Sequence, residues 1–233
     1  LLLALLLFPV VLFYLSPYVI VEAAARGIVS GSLLVFGALF LLALFIGRAW
    51  CAWACPGAGL QDVCVSIVST PAGLRGDVVK WIIWIPWLVL IIVLATRAGG
   101  YSRVDALYMT QGGVSVTAPP TYVVYYSVLA VILVLCLAGG RRGFCHHVCW
   151  MAPFMILGRW IRNAVTLPAL QLRADRSACI ACGRCTHDCP MSLPVADMVQ
   201  AGRIEHAECI LCCTCADVCP RGVIGLEFGR PPV

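Results

Sequence analysis

Lysine is all but missing from this sequence. Lys80 is the only one in 233 residues, and charged side chains of all kinds make up 12%. Soluble domains carry about a quarter charged residues, so the chain as a whole does not read as a water-soluble globule. The net charge of +5 rests on arginines, which are scattered at segment ends. They form neither the basic stripe nor the aromatic-interleaved patch that nucleic acid requires, and no nucleic-acid partner is expected. Only four histidines occur, His146, His147, His187 and His206. None falls inside a long apolar run, which excludes a haem held between two histidines within a membrane. No Gly-x-Gly-x-x-Gly or P-loop pattern is present, so nicotinamide and nucleotide sites are not expected. The apolar runs lack the paired carboxylates of an ion channel or pump.

What is present is 62% hydrophobic residues and 15 cysteines, with a mean hydropathy of +0.97. Four apolar stretches, near residues 1–21, 28–47, 79–96 and 121–139, approach the roughly 20 residues a membrane helix needs. Pro9, Pro17 and Pro86 lie within them and are tolerated where neighbours satisfy the freed carbonyls. The chain opens on Leu1, so its true start is expected to lie upstream. The first run is too long and too apolar for a signal peptide. Arg48, Arg75, Lys80, Arg141 and Arg142 flank one set of helix ends, against Arg26, Arg97 and Arg103 on the other. The positive excess assigns the first set, and everything after residue 140, to the cytoplasm.

The second and fourth runs end alike, in "GRAWCAWACPGAG" and "GRRGFCHHVCWMAPF". Each is a hairpin followed by a basic residue, an aromatic and Cys-x3-Cys. The repeat predicts a mostly α protein: a pseudo-symmetric four-transmembrane-helix bundle over residues 1–165, both cysteine pairs on one side. A compact tail over residues 171–233 follows. A domain this small needs a staple such as a metal centre.

The tail reads Cys179-x2-Cys182-x2-Cys185-x3-Cys189-Pro190, then Cys209-x2-Cys212-x2-Cys215-x3-Cys219-Pro220. Disulfide frameworks suit small secreted domains, and zinc favours two Cys-x2-Cys pairs. Two triplets, each with a remote Cys-Pro, suit two [4Fe–4S] clusters that exchange their fourth ligand. One set is then Cys179, Cys182, Cys185 and Cys219, and the other Cys209, Cys212, Cys215 and Cys189. Cys213 is a bystander, and His187 and His206 are surface residues. The tail resembles an α+β bacterial two-cluster ferredoxin, an electron relay.

Cys51 and Cys55, like Cys145 and Cys149, are four apart, which on a helix places both thiols on one face. If the repeats face each other, four thiolates converge at one end of the bundle. That is the ligand count of a third cluster, with reversible dithiol chemistry as the alternative. Cys64 and Cys136 are apolar fillers, and Trp50, Trp53 and Trp150 an interfacial belt.

"CAWACPGAGLQD" and "CHHVCWMAP", joined to the two cysteine runs, resemble the membrane polyferredoxin family across nearly the whole chain. That family includes the quinol dehydrogenase subunit of periplasmic nitrate reduction, the nitrous-oxide reductase regulator and the copper-reducing assembly factor of cytochrome oxidase. Cys51, Cys55 and Pro56 carry over directly. The second motif keeps Cys145 and Cys149 but has Trp150 where the family has proline. The resemblance implies a multi-pass protein of the cytoplasmic membrane that passes electrons between membrane quinol and a partner redox protein, in an anaerobic respiratory complex. Oxidising a quinol also releases protons, and His146, His147 and Asp62 are placed beside the cysteine pairs to accept them. Two other readings stand beside this one. One is a copper-reducing assembly factor, since thiolates favour Cu(I). The other is a structural anchor for a larger redox complex.

Overall fold

The computed structural model describes residues 2–65, 67–68, 70–73 and 77–230. The chain starts with α1 (Leu2–Leu6), α2 (Phe8–Val11), a 3-10 turn (Leu12–Leu15) and α3 (Pro17–Ala25). The first apolar run is therefore a broken span, bent by 49° at Ser16, because Pro17 pushes the preceding residue into an extended conformation. A break inside an apolar layer frees carbonyls that must find donors. Here Val10 O accepts from Ser115 Oγ at 2.7 Å, Leu15 O from Trp150 Nε1 at 2.9 Å, Ser16 O from Ser32 Oγ at 2.8 Å and Pro17 O from Trp87 Nε1 at 3.3 Å.

Strand β1 (Ile28–Ser30) leads into α4 (Gly31–Ile46), whose N-terminus is capped by Ser30 Oγ accepting from Leu33 N. The short α5 (Ala49–Trp53) and α6 (Pro56–Val65) follow, then α7 (Asp77–Arg97). β2 (Arg103–Asp105) pairs in parallel with β1. α8 (Pro119–Gly139), the short α9 (Gly143–His147) and α10 (Ala152–Ala164) complete the apolar half. Helices α7 and α8 are long and apolar enough to cross a membrane, and the bent pair makes a third candidate. At 16 residues, α4 is shorter than a full span. Of the four expected membrane helices, two have the length to span, one is broken and one is short.

The two repeats are interlocked. The long helix of each packs on the returning helix of the other, α4 on α10 and α8 on α6. Gly158 permits the first contact, since a Cβ there would stand 2.8 Å from Phe40 O and 2.9 Å from Ala43 Cβ. Trp81 stacks on Trp160 with ring centres 5.4 Å apart, tying α7 to α10.

In the tail, β3 (Ala169–Ala174) and β4 (Ile224–Gly229) form an antiparallel pair, with Ala169 opposite Gly229 and Ala174 opposite Ile224. They enclose α11 (Arg184–His187), α12 (Val195–Gln200) and α13 (Thr214–Asp217). The two cysteine runs adopt one conformation: Ala181 and Leu211 are left-handed at φ 53° and 54°, and Gly183 and Cys213 at 75° and 65°. Cys213 therefore occupies a glycine position of the repeat.

Candidate metal centres

The tail forms two cysteine-lined sites. Cys179, Cys182, Cys185 and Cys219 share one cavity, and Cys189, Cys209, Cys212 and Cys215 share the other. Each Cys-Pro turn wraps backbone N–H groups around its sulfur. Burial alone would raise the Cys219 thiol, but N–H groups of Val223, Arg221, Gly222 and Ile224 bring it below its ordinary value. Burial pushes Cys215 up to about 12 and Cys189 up to about 11. Such sulfurs become thiolates only beside compensating positive charge, which iron supplies. Among the described residues no three cysteine sulfurs lie within 4.8 Å of one another. Thiolates bound at about 2.3 Å to one zinc ion would stand about 3.8 Å apart, so these sets fit a cluster better than a single ion. Cys213 Sγ instead turns to Leu211 O, at 3.7 Å.

Cys51, Cys55, Cys145 and Cys149 line one cavity as well, and all four are buried. The pairs do not each share a helix. Cys51 and Cys145 sit on α5 and α9, whereas Cys55 and Cys149 fall just beyond their ends. The turn is the same in both copies. Trp50 O accepts from Ala54 N and Cys55 N, each at 3.0 Å, and Phe144 O accepts from Val148 N and Cys149 N, each at 3.0 Å. Trp150 in place of proline leaves this turn unaltered. Burial pushes the Cys149 thiol up to about 12, with Cys145 and Cys51 adding to the effect.

Three further residues complete this site. Arg48 and Arg142, each three residues before the first cysteine of its repeat, are 1% and 2% exposed. Burial alone would lower the Arg48 pKa, but Glu208 and the Cys51 sulfur more than reverse this. Arg142 Nη1 reaches Cys51 O at 3.3 Å. Gln61, fully buried on α6, donates from Nε2 to Cys145 Sγ at 3.1 Å. Two guanidinium groups and an amide donor around four sulfurs suit a negatively charged thiolate assembly. Sequence reasoning counted the arginines as topology signals and passed over Gln61. The matched Arg-x2-Cys spacing was the available signal for the arginines, whereas nothing local marks Gln61.

The same cavity, about 210 Å³, is also lined by Phe8, Phe13, Tyr18, Val124 and Val128. Val124 and Tyr18 are exposed on the apolar surface. His146, His147 and Asp62 are not on its wall. His146 is fully buried with Nδ1 at 2.7 Å from Asp77 Oδ1. Asp62 is gripped by Arg142 through two bonds of 2.8 and 2.6 Å, in a cleft shared with Asp188 and Cys212. Cys64 and Cys136 are buried, as apolar fillers would be.

Asp77, His146 and Glu208 bring three ligand atoms within 4.8 Å of one another. Lys80 Nζ already stands among them, 2.7 Å from Glu208 and 3.6 Å from Asp77, so this is an ion-pair network. It belongs to the seam between the halves. Arg48 meets Glu208 at 2.6 Å, Trp53 Nε1 donates to Leu211 O at 3.1 Å, and Arg159 binds Glu205 at 2.8 Å as well as the carbonyl of His206. His187 is exposed as expected, but His206 is half-buried, its Nδ1 accepting from Glu208 N at 3.1 Å. Of the basic residues read as topology signals, Arg48, Lys80 and Arg142 are buried in ion pairs, and Arg75 lies outside the described residues. Trp150 is half-buried and donates to Leu15 O, whereas Trp53 donates to Leu211 O with most of its ring exposed.

These sites define an iron–sulfur protein of the ferredoxin type. Residues 178–224 match the 4Fe-4S dicluster domain family, and a 4Fe-4S binding domain family matches residues 31–69 and again 121–168, once in each repeat. The chain is homologous to ferredoxin-type and electron-transport proteins. It is 29% identical over 213 residues to the methylamine utilization ferredoxin-type protein MauN of Methylobacillus flagellatus, covering 88% of this chain and 69% of that one. It is 22% identical over 201 residues to the putative electron transport protein YccM of Escherichia coli, covering 81% and 54%. To protein RdxA of Cereibacter sphaeroides it is 25% identical over 234 residues, covering 84% and 47%. The chain thus spans about half to two thirds of the length of these relatives. No solved structure matches it.

Proposed function

We propose that this protein is a membrane-anchored electron relay, passing single electrons between a membrane quinol and a partner redox protein. The four apolar segments form its membrane core, with the cysteine sites and the tail on the cytoplasmic side. The observation that carries the reading is the apolar cavity of about 210 Å³ lined by all four cysteines together with Tyr18 of α3 and Val124 of α8, two residues exposed on the surface. Quinones are apolar, enter from lipid and must reach a redox centre closely.

Cys51, Cys55, Cys145 and Cys149 would hold a third cluster beside the two of the tail. Clusters of this kind take up and return one electron each. The chain contributes placement. Phe8, Phe13 and Phe144 keep water from the membrane site, while Arg48 and Arg142 balance the thiolate charge. The seam at residues 205–211 holds the second tail site against the membrane half, since Arg159 also reaches Cys209 O at 3.4 Å. The first tail site is left outward, with Cys182 exposed.

The test is anaerobic stopped-flow mixing of the reduced, detergent-purified protein with a menaquinone analogue. Fast, saturable reoxidation that is lost in Cys145→Ser is expected. Slow, non-saturating reoxidation indifferent to that change sinks the quinone reading and leaves the anchor role. A copper-handling reading has one observation in its favour, Met155 Sδ at 3.7 Å from Cys51 Sγ, a soft pair suited to Cu(I). The two buried arginines beside the same sulfurs disfavour a bare cation, and metal analysis of the purified protein separates the two.

A further inference from the structure

Gln61 is the only uncharged polar side chain that donates a hydrogen bond to any of the four membrane sulfurs among the described residues, and its amide has no freedom to turn. Oε1 accepts from Phe144 N at 3.1 Å and Cys145 N at 3.4 Å. Nε2 donates to Gly57 O and to Cys145 Sγ, both at 3.1 Å. Turning the amide over would set an oxygen against a carbonyl and a sulfur, and a nitrogen against two N–H groups, so the network fixes which end faces Cys145. Gln61 also crosses the pseudo-symmetry. It stands on α6 of the first repeat and clamps the short α9 of the second, fully buried. The equivalent returning helix, α10, places Met155 near Cys51 instead. The site therefore has one hydrogen-bonded ligand sulfur facing a thioether-flanked one.

We infer that Gln61 is a positioning residue that raises the reduction potential of the membrane site. The inference rests on the reading that the four membrane cysteines hold a cluster. A reduced cluster carries one more negative charge than an oxidised one, so a donor aimed at a ligand sulfur favours the reduced form. Backbone N–H groups do the same for the tail sulfurs. At the membrane site backbone N–H groups of Ala58 and Ala152 serve Cys55 and Cys149, and the side chain of Gln61 serves Cys145. A higher potential at the quinol end is what lets that site accept electrons from a quinol.

The experiment is an EPR-monitored redox titration of the detergent-purified protein as wild type and as Gln61→Met, which keeps the side-chain length and removes the donor. One lost hydrogen bond of about 1.4 kcal/mol lowers the equilibrium constant for reducing the membrane site about tenfold, or ~59 mV for a one-electron couple. The two tail couples stay unmoved. An unchanged membrane couple in a variant of full iron content overturns the inference. Should Gln61→Met not retain the cluster, wild-type protein with ¹⁵N in its glutamine side chains decides the matter by pulsed EPR. The other glutamines, Gln111, Gln171 and Gln200, lie in a loop, in β3 and in α12, so a ¹⁵N coupling on the membrane signal is expected from Gln61. Its absence overturns the inference. A wild-type iron content of about eight per chain, in place of about twelve, would defeat the underlying reading itself, and does so before any variant is made.

Discussion

Arg48 and Glu208, 160 residues apart, meet at 2.6 Å with almost no exposure to solvent. Lys80 reaches the other carboxylate oxygen at 2.7 Å. This single carboxylate joins the start of α5, the start of α7 and the segment before the second tail cysteine run.

Among the described residues, removing it leaves buried Arg48 with only the carbonyl of Ala207, at 3.2 Å, and Lys80 with only Asp77, at 3.6 Å. Glu208→Ala is expected to weaken the seam by about 3–5 kcal/mol, the usual cost of breaking a buried ion pair from one side. Limited proteolysis at the junction near residue 166 and a lowered thermal midpoint are the readouts. The pH dependence has a definite sign. Although burial would raise it, Arg48 and Lys80 hold the Glu208 pKa down to about 2, below an ordinary value of 4.5. A depressed carboxylate contributes fully above its unfolded value and loses that contribution as pH falls through the folded one. The gap between wild type and variant should therefore be constant from about pH 8 to about pH 5, with loss confined to the window between 4.5 and 2. A gap that shrinks steadily from neutral pH would show that another group governs the seam.

The exchange of fourth ligands between the tail sites can be tested by pairs of substitutions. Cys219 shares a cavity with Cys179, Cys182 and Cys185, so Cys179→Ala with Cys219→Ala strikes one site twice. Cys179→Ala with Cys189→Ala strikes both. The first pair is expected to lose about four irons per chain and the second about eight. The reverse order would mean that each run closes its own cluster.

Trp150 supplies the donor for Leu15 O, a carbonyl released by the break before Pro17. Trp150→Phe keeps most of the apolar surface and removes the N–H. In a water-poor environment the orphaned carbonyl costs about 1–3 kcal/mol, read as a lowered thermal midpoint in detergent. Iron in the tail should be untouched, because Trp150 has no part in either tail site. A midpoint equal to wild type would mean that another donor takes over.

The tail was readable residue by residue because its chemistry is local. Three ligands within seven positions and a Cys-Pro turn constrain the backbone so tightly that the spacing alone gathers each triplet, and Cys213 could be set aside for the same reason. The Cys-x3-Cys repeat was equally legible, and both copies fold into one turn despite Trp150. Helix length was less secure. Hydropathy counts apolar residues and is blind to a break that distant side chains such as Ser115 and Trp87 repair.

By itself, then, the sequence determined that two cysteine triplets and two repeated cysteine pairs exist and that most of the chain is strongly apolar. The tertiary structure decided that the repeats interlock, so that α6 of one lies against α8 of the other and Gln61 meets Cys145. It also turned Arg48, Lys80 and Arg142 inward, into ion pairs with Glu208 and Asp62. Hydrogen bonds and ion pairs between residues 80 to 160 positions apart leave no periodicity in the sequence, because their geometry exists only after the helices have packed.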